Sequence, residues 1–528
     1  MKRLMIGAVL LTSMSAMAQE TYTNAEILTE DLNGTARYVG MGGAMEALGA
    51  DISTIYTNPA GVGLFRRSSV NFSAGVVSQQ DAGSTDLGDA THVSFDQVGF
   101  VWNVNHGHEK TLNIAFNYKK NRNYNNLLNA SDALNGSSQN TNAYMNLMDA
   151  QSNSGNSDWL NSYSLSQLDA LYYKSLIGDQ DGYLYYNAAD GYNMNRVAKG
   201  YSGEYDINVS GNVSNRVYLG LTLGISDLSY KSWTNYTESL LNSANQSIGS
   251  VTVCDQREIT GTGFNVKAGA IVFPFEENPF RIGLYISTPT WYDMHSYNHT
   301  YLVNNAETGG TPIDASYRSE GDYDYRIYTP WKFGVSLGHT VSNYLALGAT
   351  YEYVDYSSIS SRVIDGYDYY DQPVTYKDAI MNDHTQKSLK GVSTLRVGAE
   401  VKPTPEVAVR VGYNYVSPMY RPNAYRDCTL SSYGTYYSSQ TDYTNWKATN
   451  RFTCGIGYSK GSFGIDIAYQ YSATNGNFHP FMDSSATYDW DNDGDNVVDE
   501  VETVTNSASP VKVSNKRHQL LATLTYKF

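Results

Sequence analysis

The sequence is poor in cysteine, proline and positive charge, and each shortage narrows the class of protein. The 528 residues include 3 Cys and 13 Pro, and 36 Lys and Arg stand against 52 Asp and Glu, for a formal net charge of −16. Three distant cysteines cannot form a dense disulfide framework, although Cys254 and Cys428 fall in predicted loops on one side and are candidates for a pair. The acidic balance argues against nucleic-acid binding, which needs a basic surface.

Tyrosine and glycine are abundant instead, with 47 Tyr and 45 Gly. Aromatic side chains suit the pleated surfaces of antiparallel sheets and the interfacial belts of membrane barrels. After the N-terminal segment no stretch reaches about 18 consecutive apolar residues, the length that a membrane-spanning helix needs. An all-β protein is therefore expected, and a membrane location would require a closed barrel.

Residues 1–18 are predicted to be a signal peptide. Lys2 and Arg3 precede the apolar run from Leu4 to Leu11, and Ala16-Met17-Ala18 closes the segment. A short basic region, a short apolar region and an A-x-A site are typical of export signals, and the run is too short to span a membrane. A buried N-terminal helix is the alternative. The pattern predicts export, with cleavage near Ala18.

Alternation of apolar and polar residues dominates the chain after residue 67. In the last segment, Leu520, Ala522, Leu524, Tyr526 and Phe528 share one face, and the residues between them share the other. The apolar face suits lipid, while small and charged residues on the other face suit a wet or tightly filled lumen. Fourteen such segments are predicted as strands: 68–78, 92–104, 111–121, 201–213, 216–231, 256–273, 280–296, 321–339, 343–356, 389–402, 406–420, 447–459, 462–473 and 513–527.

The connections between these segments alternate between short and long. Tight polar links such as Ser342-Asn343 and Lys460-Gly461 alternate with long ones such as 122–200 and 474–512. Short turns on one rim and long loops on the other are typical of outer-membrane barrels, which have an even number of strands. A soluble β-sandwich is the alternative, but it does not explain this asymmetry. The pattern predicts a 14-stranded antiparallel transmembrane β-barrel over residues 68–528.

Residues 19–67 are not strand-like and are rich in glycine. The stretch contains Gly40-Met41-Gly42-Gly43, then Ala50 to Tyr56, then Asn58-Pro59-Ala60-Gly61. Glycine permits unusual backbone angles and close packing, and Pro59 restricts Asn58 to an extended conformation. Because a barrel of fourteen strands leaks unless it is filled, this segment is predicted to be an N-terminal hatch inside the lumen.

These hatch motifs resemble those of the FadL/TodX-like outer-membrane transport proteins. The resemblance implies a monomeric barrel in the Gram-negative outer membrane that takes up long-chain fatty acids or other hydrophobic compounds by diffusion. It also implies that cargo leaves sideways, into the membrane lipid, through a kinked strand. The family's Asn-Pro-Ala hatch motif matches Asn58, Pro59 and Ala60.

Two features separate the sequence from that family pattern. The longest loop follows the third strand, and no Gly or Pro interrupts Leu112 to Tyr118, where a kink would be expected. The same hatch signature also occurs in PorV-like barrels, which serve protein secretion. A secretion or surface-assembly barrel, and a calcium-dependent surface binding protein, are therefore the alternative functions.

Apolar residues on the lumen side are the candidates for ligand contact. Parity places Leu521 and Val77 inward, and flexible or aliphatic side chains in the hatch suit a pocket for alkyl chains. The alternative is a small core that keeps the hatch folded. The ligand-lining candidates in the hatch are Met41, Met45, Leu48, Ile55, Val62 and Leu64.

An acidic segment near the C-terminus has the spacing of a calcium-binding loop. Residues 489–500 place carboxylates at positions 1, 3 and 5, Gly494 at position 6 and a glutamate at position 12. A solvated acidic loop is the alternative. The predicted Ca²⁺ ligands are Asp489, Asp491, Asp493, Asp495 and Glu500.

Catalysis has little support in the sequence, and the protein is not expected to be an enzyme. His479 and Asp483 lie near each other in an outer loop, but no serine is placed beside them. The long loop 122–200 is predicted to hold two short amphipathic helices, one around Tyr144 to Met148 and one capped by Ser164 with Gln167. These helices would form an entrance groove or pack on the barrel rim.

Overall fold

The computed structural model describes most of the chain. The described residues are 3–4, 20–80, 82, 88–106, 111–154, 166–178, 183–214, 216–307, 317–370, 372–427, 430, 439–491, 498 and 500–528. Of the predicted signal peptide, only Arg3–Leu4 are described, paired with Trp490 and Asp491. The remainder of that segment lies outside the described residues, so its cleavage stays a prediction.

A single closed sheet forms the wall of the molecule. Its first strand pairs with its last, Ser69 opposite Lys527, and every neighbouring pair is antiparallel. The strands in chain order are β1 Ser69–Gln79, β2 Thr91–His106, β3 Thr111–Asn123, β4 Asn126–Ala133, β5 Ala188–Ser214, β6 Val217–Leu241, β7 Ser247–Val272, β8 Arg281–Ser287, β9 Trp291–Asn304, β10 Tyr317–Tyr328, β11 Lys332–Val341, β12 Leu345–Asp355, β13 Ser360–Tyr367, β14 Pro373–Lys377, β15 Gly391–Val401, β16 Val407–Val416, β17 Tyr443–Lys460, β18 Phe463–His479, β19 Ser484–Asp491, β20 Glu500–Asn506 and β21 Val511–Lys527. All of them belong to the wall sheet except β19 and β20, which form a separate small sheet with Arg3–Leu4.

The predicted count of fourteen wall strands is confirmed, but two of the predicted strands are interrupted. The seventh consists of β8 and β9, separated at Thr288-Pro289-Thr290, and the eighth of β10 and β11, separated at Thr329-Pro330-Trp331. Proline has no N–H to give to a ladder, so it ends each strand segment at this height. The alternation read from the sequence continued across both prolines and missed the breaks.

The two faces of the wall differ as the alternation predicted. On β6, Leu219, Leu221, Leu223 and Ile225 are 44–53% exposed, whereas Thr222 between them is buried. Leu521 is likewise buried inside while Leu520 and Leu524 face outward. No helix among the described residues is both long and apolar enough to cross a bilayer. A closed ring with an apolar outside and a polar inside is the architecture of a transmembrane barrel.

The segment before β1 lies inside this ring as a hatch. Helix α1 Glu20–Ile27 is followed by α2 Ala36–Gly40 and by two 3₁₀ helices, Ile52–Tyr56 and Pro59–Leu64. Nearly all of their side chains are buried, and they contact strands on opposite sides of the ring, including β6 and β18. The hatch therefore fills the half of the lumen nearer the short turns.

A row of glycines on the inner wall receives the hatch backbone. Gly338, Gly348, Gly398 and Gly412 are register partners across four adjacent strands, β11, β12, β15 and β16. A Cβ atom added at Gly348, Gly398 or Gly412 would overlap backbone atoms of residues 41–44. The hatch thus meets this part of the wall backbone to backbone, at a distance that only glycine permits.

The long loops form a cap on the opposite rim. Helices α3 Gln139–Ser154 and α4 Gln167–Tyr172, with a π-helical turn at Tyr173–Ile177, share a buried apolar cluster with Phe478 and Phe481. A further helix, α5 Ala379–Ser388, contacts α1. The sequence predicted two helices in the long loop, which would either form an entrance groove or pack on the barrel rim. The contacts show packing on the rim.

The predicted cap of α4 is displaced by two residues. Ser166, not Ser164, is the N-cap, and its hydroxyl accepts a hydrogen bond from the N–H of Asp169. Ser166 and Asp169 have the same three-residue spacing as the predicted pair, two residues later in the chain. Residues 161–165 lie outside the described residues.

Asp169 should make the cap sensitive to pH. Its carboxylate is 3% exposed and accepts hydrogen bonds from Ser166 Oγ and Asn146 Nδ2, and burial raises its pKa to about 7. Because the folded cap holds this proton more tightly than the unfolded chain does, the cap is most stable below about pH 4 and weakens as pH rises towards 7. Hydrogen exchange of the α3 and α4 amides, corrected for intrinsic rates, should therefore be faster at pH 8 than at pH 5.

Asp169→Asn should remove this dependence, since an amide keeps the size of the side chain but does not ionise. Asp132→Asn, at an exposed position on β4, provides the matched control and should leave the dependence intact. An equal pH dependence in wild type and Asp169→Asn would show that another group sets it.

Candidate functional site

A cavity of about 180 Å³ lies in the lumen, lined by the hatch and by the inner face of the wall. Its floor is made by Leu32, Tyr38 and Tyr56 of the N-terminal segment, and its walls by inward-facing residues of β3, β12, β15, β17 and β21. It sits farther from the short turns than the glycine row does, because its β15 residues, Thr394 and Arg396, precede Gly398. We call it the lumen cavity.

The lining of the lumen cavity is cationic in an acidic protein. Four carboxylates contribute, from Glu26, Glu30, Asp31 and Glu352. Seven cationic side chains face them, which leaves a formal charge of +3: Lys119, Arg122, Lys332, Arg396, Lys447, Arg451 and Arg517. Such a field attracts anions and repels cations.

Asp31 lies at the centre of three of these arginines. Its carboxylate is 3.0 Å from Arg122, 3.8 Å from Arg451 and 3.9 Å from Arg517. The N–H of Asn123 also donates to it, over 3.1 Å. The arginines come from β3, β17 and β21, so one carboxylate of the hatch segment ties together three wall strands.

Glu30 occupies a second cationic position. It forms an ion pair with Lys332 and accepts a hydrogen bond of 2.6 Å from the Tyr56 hydroxyl. The ammonium groups of Lys119, Lys267 and Lys332 lie 3.9, 4.3 and 5.2 Å from the centre of the Tyr56 ring. The negative face of the ring and the Glu30 carboxylate together stabilise three lysines in a confined space.

Glu46 anchors the hatch beneath the cavity. Its fully buried carboxylate accepts hydrogen bonds from Arg396 at 2.8 Å, Tyr38 at 2.8 Å and Thr350 at 2.6 Å. Arg396 also bonds Glu352 on the wall, at 2.9 Å. Because the Glu46 carboxylate and the Arg396 guanidinium both have partners, this ion pair fixes the position of the hatch against the wall. Removal of either side chain would leave an uncompensated charge inside the barrel.

One side of the cavity is aromatic. Tyr124, Tyr420 and Trp446 line it and join the apolar cluster that surrounds α1. Tyr22 of α1 stacks on Tyr420, with ring centres 5.1 Å apart. The cavity lining is therefore amphipathic, because it combines cationic groups with aromatic rings.

The predicted hatch motif lies at a junction between hatch and wall. Asn58 Oδ1 accepts from the N–H of Ala60, and Asn58 Nδ2 donates to the carbonyls of Glu46 and Ala270, at 3.0 and 3.3 Å. Pro59 takes the first position of the 3₁₀ helix that Asn58 caps, where its missing N–H costs nothing. The motif thus links the 3₁₀ helix, the Glu46 segment and β7.

The six hatch side chains predicted to line a ligand do not line the lumen cavity. Met41, Met45 and Leu48 pack with Leu32 and Tyr38, and Ile55 and Val62 pack with Tyr56 and Val101. Leu64 contacts the cluster of Ala60, Tyr218 and Ile271. These contacts are those of small hatch cores, the alternative stated from the sequence, and a ligand role for the six stays a prediction.

A small side crevice of about 30 Å³ runs from the Glu30 region to the interrupted strands, where Thr290, Thr329 and Pro330 line it. On one side of this break the wall is sealed, because the N–H of Thr290 donates to Thr329 Oγ1 at 2.8 Å. On the other side, the three residues 329–331 face the five residues 355–359 without ladder pairing. We call this gap between the eighth and ninth wall strands the seam.

An apolar groove lies on the outer surface beside the seam. It encloses about 550 Å³ and is lined by Leu284, Ile286, Phe333, Val335 and Tyr353, which belong to the lipid-facing side. The side crevice approaches this part of the wall from the lumen. The predicted third strand, in contrast, is continuous from Thr111 to Asn123.

Two other sequence predictions fall largely outside the described residues. Residues 492–497 and 499 of the acidic loop are among those not described, although Asp489 and Glu500 are, on β19 and β20. Calcium binding by Asp489, Asp491, Asp493, Asp495 and Glu500 therefore stays a prediction. Cys428 also lies outside the described residues, so its pairing with Cys254 is untested.

The cationic lining was not identified from the sequence. A usable signal was present, because Arg451 and Arg517 stand at inward positions of strands whose outward face is apolar. Charges at such positions indicate a polar lumen rather than an apolar one. Their convergence on Asp31, however, depends on how the barrel closes.

A closed transmembrane barrel with a hatch and a lumen cavity defines a plugged barrel. No family model matches the sequence, and no curated protein matches it. Among solved structures, a FadL homologue of Pseudomonas aeruginosa is 13% identical, with 95% of this chain and 99% of that chain covered and a TM-score of 0.51. The toluene transporter TodX of P. putida is 10% identical, with 94% and 99% covered and a TM-score of 0.49. The fold is that of FadL-type barrels, as the hatch motifs predicted.

Proposed function

We propose that the protein is an outer-membrane channel for the uptake of hydrophobic compounds that carry an acidic head group, with long-chain fatty acids as the representative cargo. The observation that carries the proposal is the lumen cavity, whose lining combines a net positive charge with the aromatic rings of Tyr124, Tyr420 and Trp446. A neutral hydrocarbon makes no use of seven cationic side chains, whereas a carboxylate gains charge-assisted hydrogen bonds from arginine. The alkyl chain would lie against the rings of Tyr124, Tyr420 and Trp446.

The release path proposed here leads through the seam. Cargo would pass from the lumen cavity along the side crevice at Glu30 and Lys332, cross the wall between Thr329–Trp331 and the 355–359 segment, and reach the lipid-facing groove. Movement of the hatch about Asn58-Pro59-Ala60 would open this path. The seam takes the place of the kink in the third strand that the family resemblance implied.

Binding by the purified protein tests the head-group requirement. Laurate should bind more tightly than lauryl alcohol of the same chain length, because only the anion pairs with the arginines. Arg451→Gln with Arg517→Gln should weaken laurate binding about tenfold, the scale of one or two charge-assisted hydrogen bonds, and leave the alcohol nearly unchanged. Isothermal titration calorimetry in a non-ionic detergent provides the measurement.

Arg216→Gln is the matched control, because Arg216 pairs with Glu276 at the exposed short-turn rim, away from the cavity. Equal binding of laurate, lauryl alcohol and toluene, unchanged in the double variant, would indicate a channel for neutral compounds. No binding of any of them, together with normal uptake in cells that lack the protein, would favour the secretion barrel or the surface binding protein.

A further inference from the structure

The lumen cavity already contains an anion, supplied by the chain itself. Three guanidinium groups converge on the single carboxylate of Asp31. Arg451 also donates to Asn414 Oδ1, and Arg517 donates to the carbonyls of Asn123 and Asn125, each at 2.9 Å. These wall contacts hold Arg451 and Arg517 in place without help from Asp31. The anion site is therefore built by the wall and filled by the hatch segment.

Some cationic groups around this anion site are still available to bind a second anion, such as the head group of a ligand. Arg122 Nε is buried and has no hydrogen-bond partner among the described residues. Lys447, on the same lining, is exposed to the cavity and forms no ion pair within the described part of the chain. With one carboxylate among three arginines, an entering anion can begin to bind before Asp31 has left.

We propose that Asp31 is an internal substitute for the acidic head group of the cargo, and that cargo binds by displacing it. The inference rests on the proposed function and specifies how that site is regulated. Exchange of one carboxylate or phosphate for another keeps the arginines paired, so it avoids the cost of leaving buried charges uncompensated. A neutral amphiphile offers no such exchange and leaves Asp31 in place.

Displacement of Asp31 is coupled to the rest of the hatch through Thr35, which follows it by four residues. Thr35 Oγ1 donates to both carboxylate oxygens of Asp51, at 2.9 and 2.8 Å, and the N–H of Thr35 donates to Ser53 Oγ at 2.8 Å. On its other side Asp31 adjoins Glu30, whose ion pair with Lys332 lies at the side crevice. Loss of the Asp31 contact therefore loosens the segment that joins the anion site to both the hatch and the seam.

Removing the internal competitor should strengthen cargo binding. Asp31→Asn should bind laurate about tenfold more tightly than wild type, because the bound ligand no longer has to replace a charge-assisted contact. Dodecyl phosphate should gain as well, and lauryl alcohol should not. Glu26→Gln is the matched control, since it removes the same charge from the same lining, and Glu26 forms no ion pair within 4 Å among the described residues; its gain should not exceed about twofold, the scale of a screened charge.

A labelling experiment tests displacement without changing Asp31. Thr29→Cys is introduced into a full-length chain whose three native cysteines are replaced by alanine, and its reaction rate with a soluble maleimide is measured. Laurate should raise this rate several-fold, and lauryl alcohol should not. In Asp31→Asn the rate should already be high without ligand.

Two results would overturn the inference. If laurate binds wild type but Asp31→Asn binds no more tightly than Glu26→Gln, and laurate leaves the Thr29→Cys rate unchanged, then Asp31 only positions the arginines, and the proposed uptake function stands. If wild type binds neither laurate nor dodecyl phosphate, the proposed function and the exchange both fail.

Discussion

Replacing Gly412 by leucine should dislodge the hatch and turn the protein into an open pore. A side chain at this position would overlap the backbone of Met41 and Gly42, and a Cβ on Gly42 would in turn lie 2.8 Å from the backbone nitrogen of Tyr413, so the two backbones already meet at a distance that only glycine permits. Overpacking of this kind costs about 1–3 kcal/mol even where side chains can adjust, and here the overlap is with backbone. Planar-bilayer recordings should show steady ion currents in Gly412→Leu and a closed wild-type protein.

Gly464→Leu is the matched control. Gly464 lies on a wall strand near the same rim, but an added Cβ there would come no nearer than 3.7 Å to any atom. Its barrel should stay closed, and both variants should show the heat-modifiable migration of a folded barrel. A closed Gly412→Leu barrel with wild-type resistance of the hatch to protease would show that the hatch is held in another way.

Bridging the seam should stop uptake while leaving binding intact. Cysteines at Thr329 and Ser357, in a chain without the native cysteines, can be joined by a reducible bifunctional reagent across the gap between the eighth and ninth wall strands. If cargo leaves there, the bridge should reduce uptake into cells about tenfold or more, since a blocked step limits the whole rate. Reduction of the bridge should restore uptake, and laurate binding should be unchanged throughout.

Cysteines at Leu337 and Ala349 form the control pair. These residues lie on the same two strands and are already register partners, so bridging them constrains a part of the wall that has no gap. Undiminished uptake with the seam bridged would place the release path elsewhere.

The strands of the wall and the face that each residue occupies could be predicted from the sequence, because the two environments of the wall require alternating residue types. Lipid on one side and a filled lumen on the other force alternation, and the exposure of Leu520 and Leu524 against the burial of Leu521 follows from it. The same rule placed glycine on the inner face at Gly412 without revealing its partner. The row from Gly338 to Gly412 becomes visible only when the register of four strands is known.

The interruptions could have been predicted and were not. Pro289 and Pro330 stood within segments read as continuous strands, although proline is rarely tolerated inside a sheet. Tyr292 and Tyr356, near these breaks, suit a membrane interface by composition, but both line the side crevice in the lumen. The alternation of apolar and polar residues fails to predict these positions, because an interruption of the strand changes which face of the wall the following residues occupy.

The anion site depends on contacts that no local pattern contains. Two of the three arginines around Asp31, Arg451 and Arg517, lie hundreds of residues from it in the chain. They come together only because the ring closes with the hatch inside. The Met and aliphatic residues of the hatch can be read directly from the sequence, and they led to the prediction of a ligand site there. The meeting of distant charged residues cannot be read from the sequence in the same way.

Closure of the sheet between β1 and β21 also involves the hatch. The hatch precedes β1 in the chain, yet the N–H of Ala36 bonds Thr523 on the last strand, at 2.7 Å. Thr523 in turn shares a hydrogen bond of 2.8 Å with Ser73 on the first strand. These bonds bring the hatch, the first strand and the last strand together at one junction. The C-terminal strand therefore holds both its neighbour and the hatch, so that closing the ring and anchoring the hatch depend on the same residues.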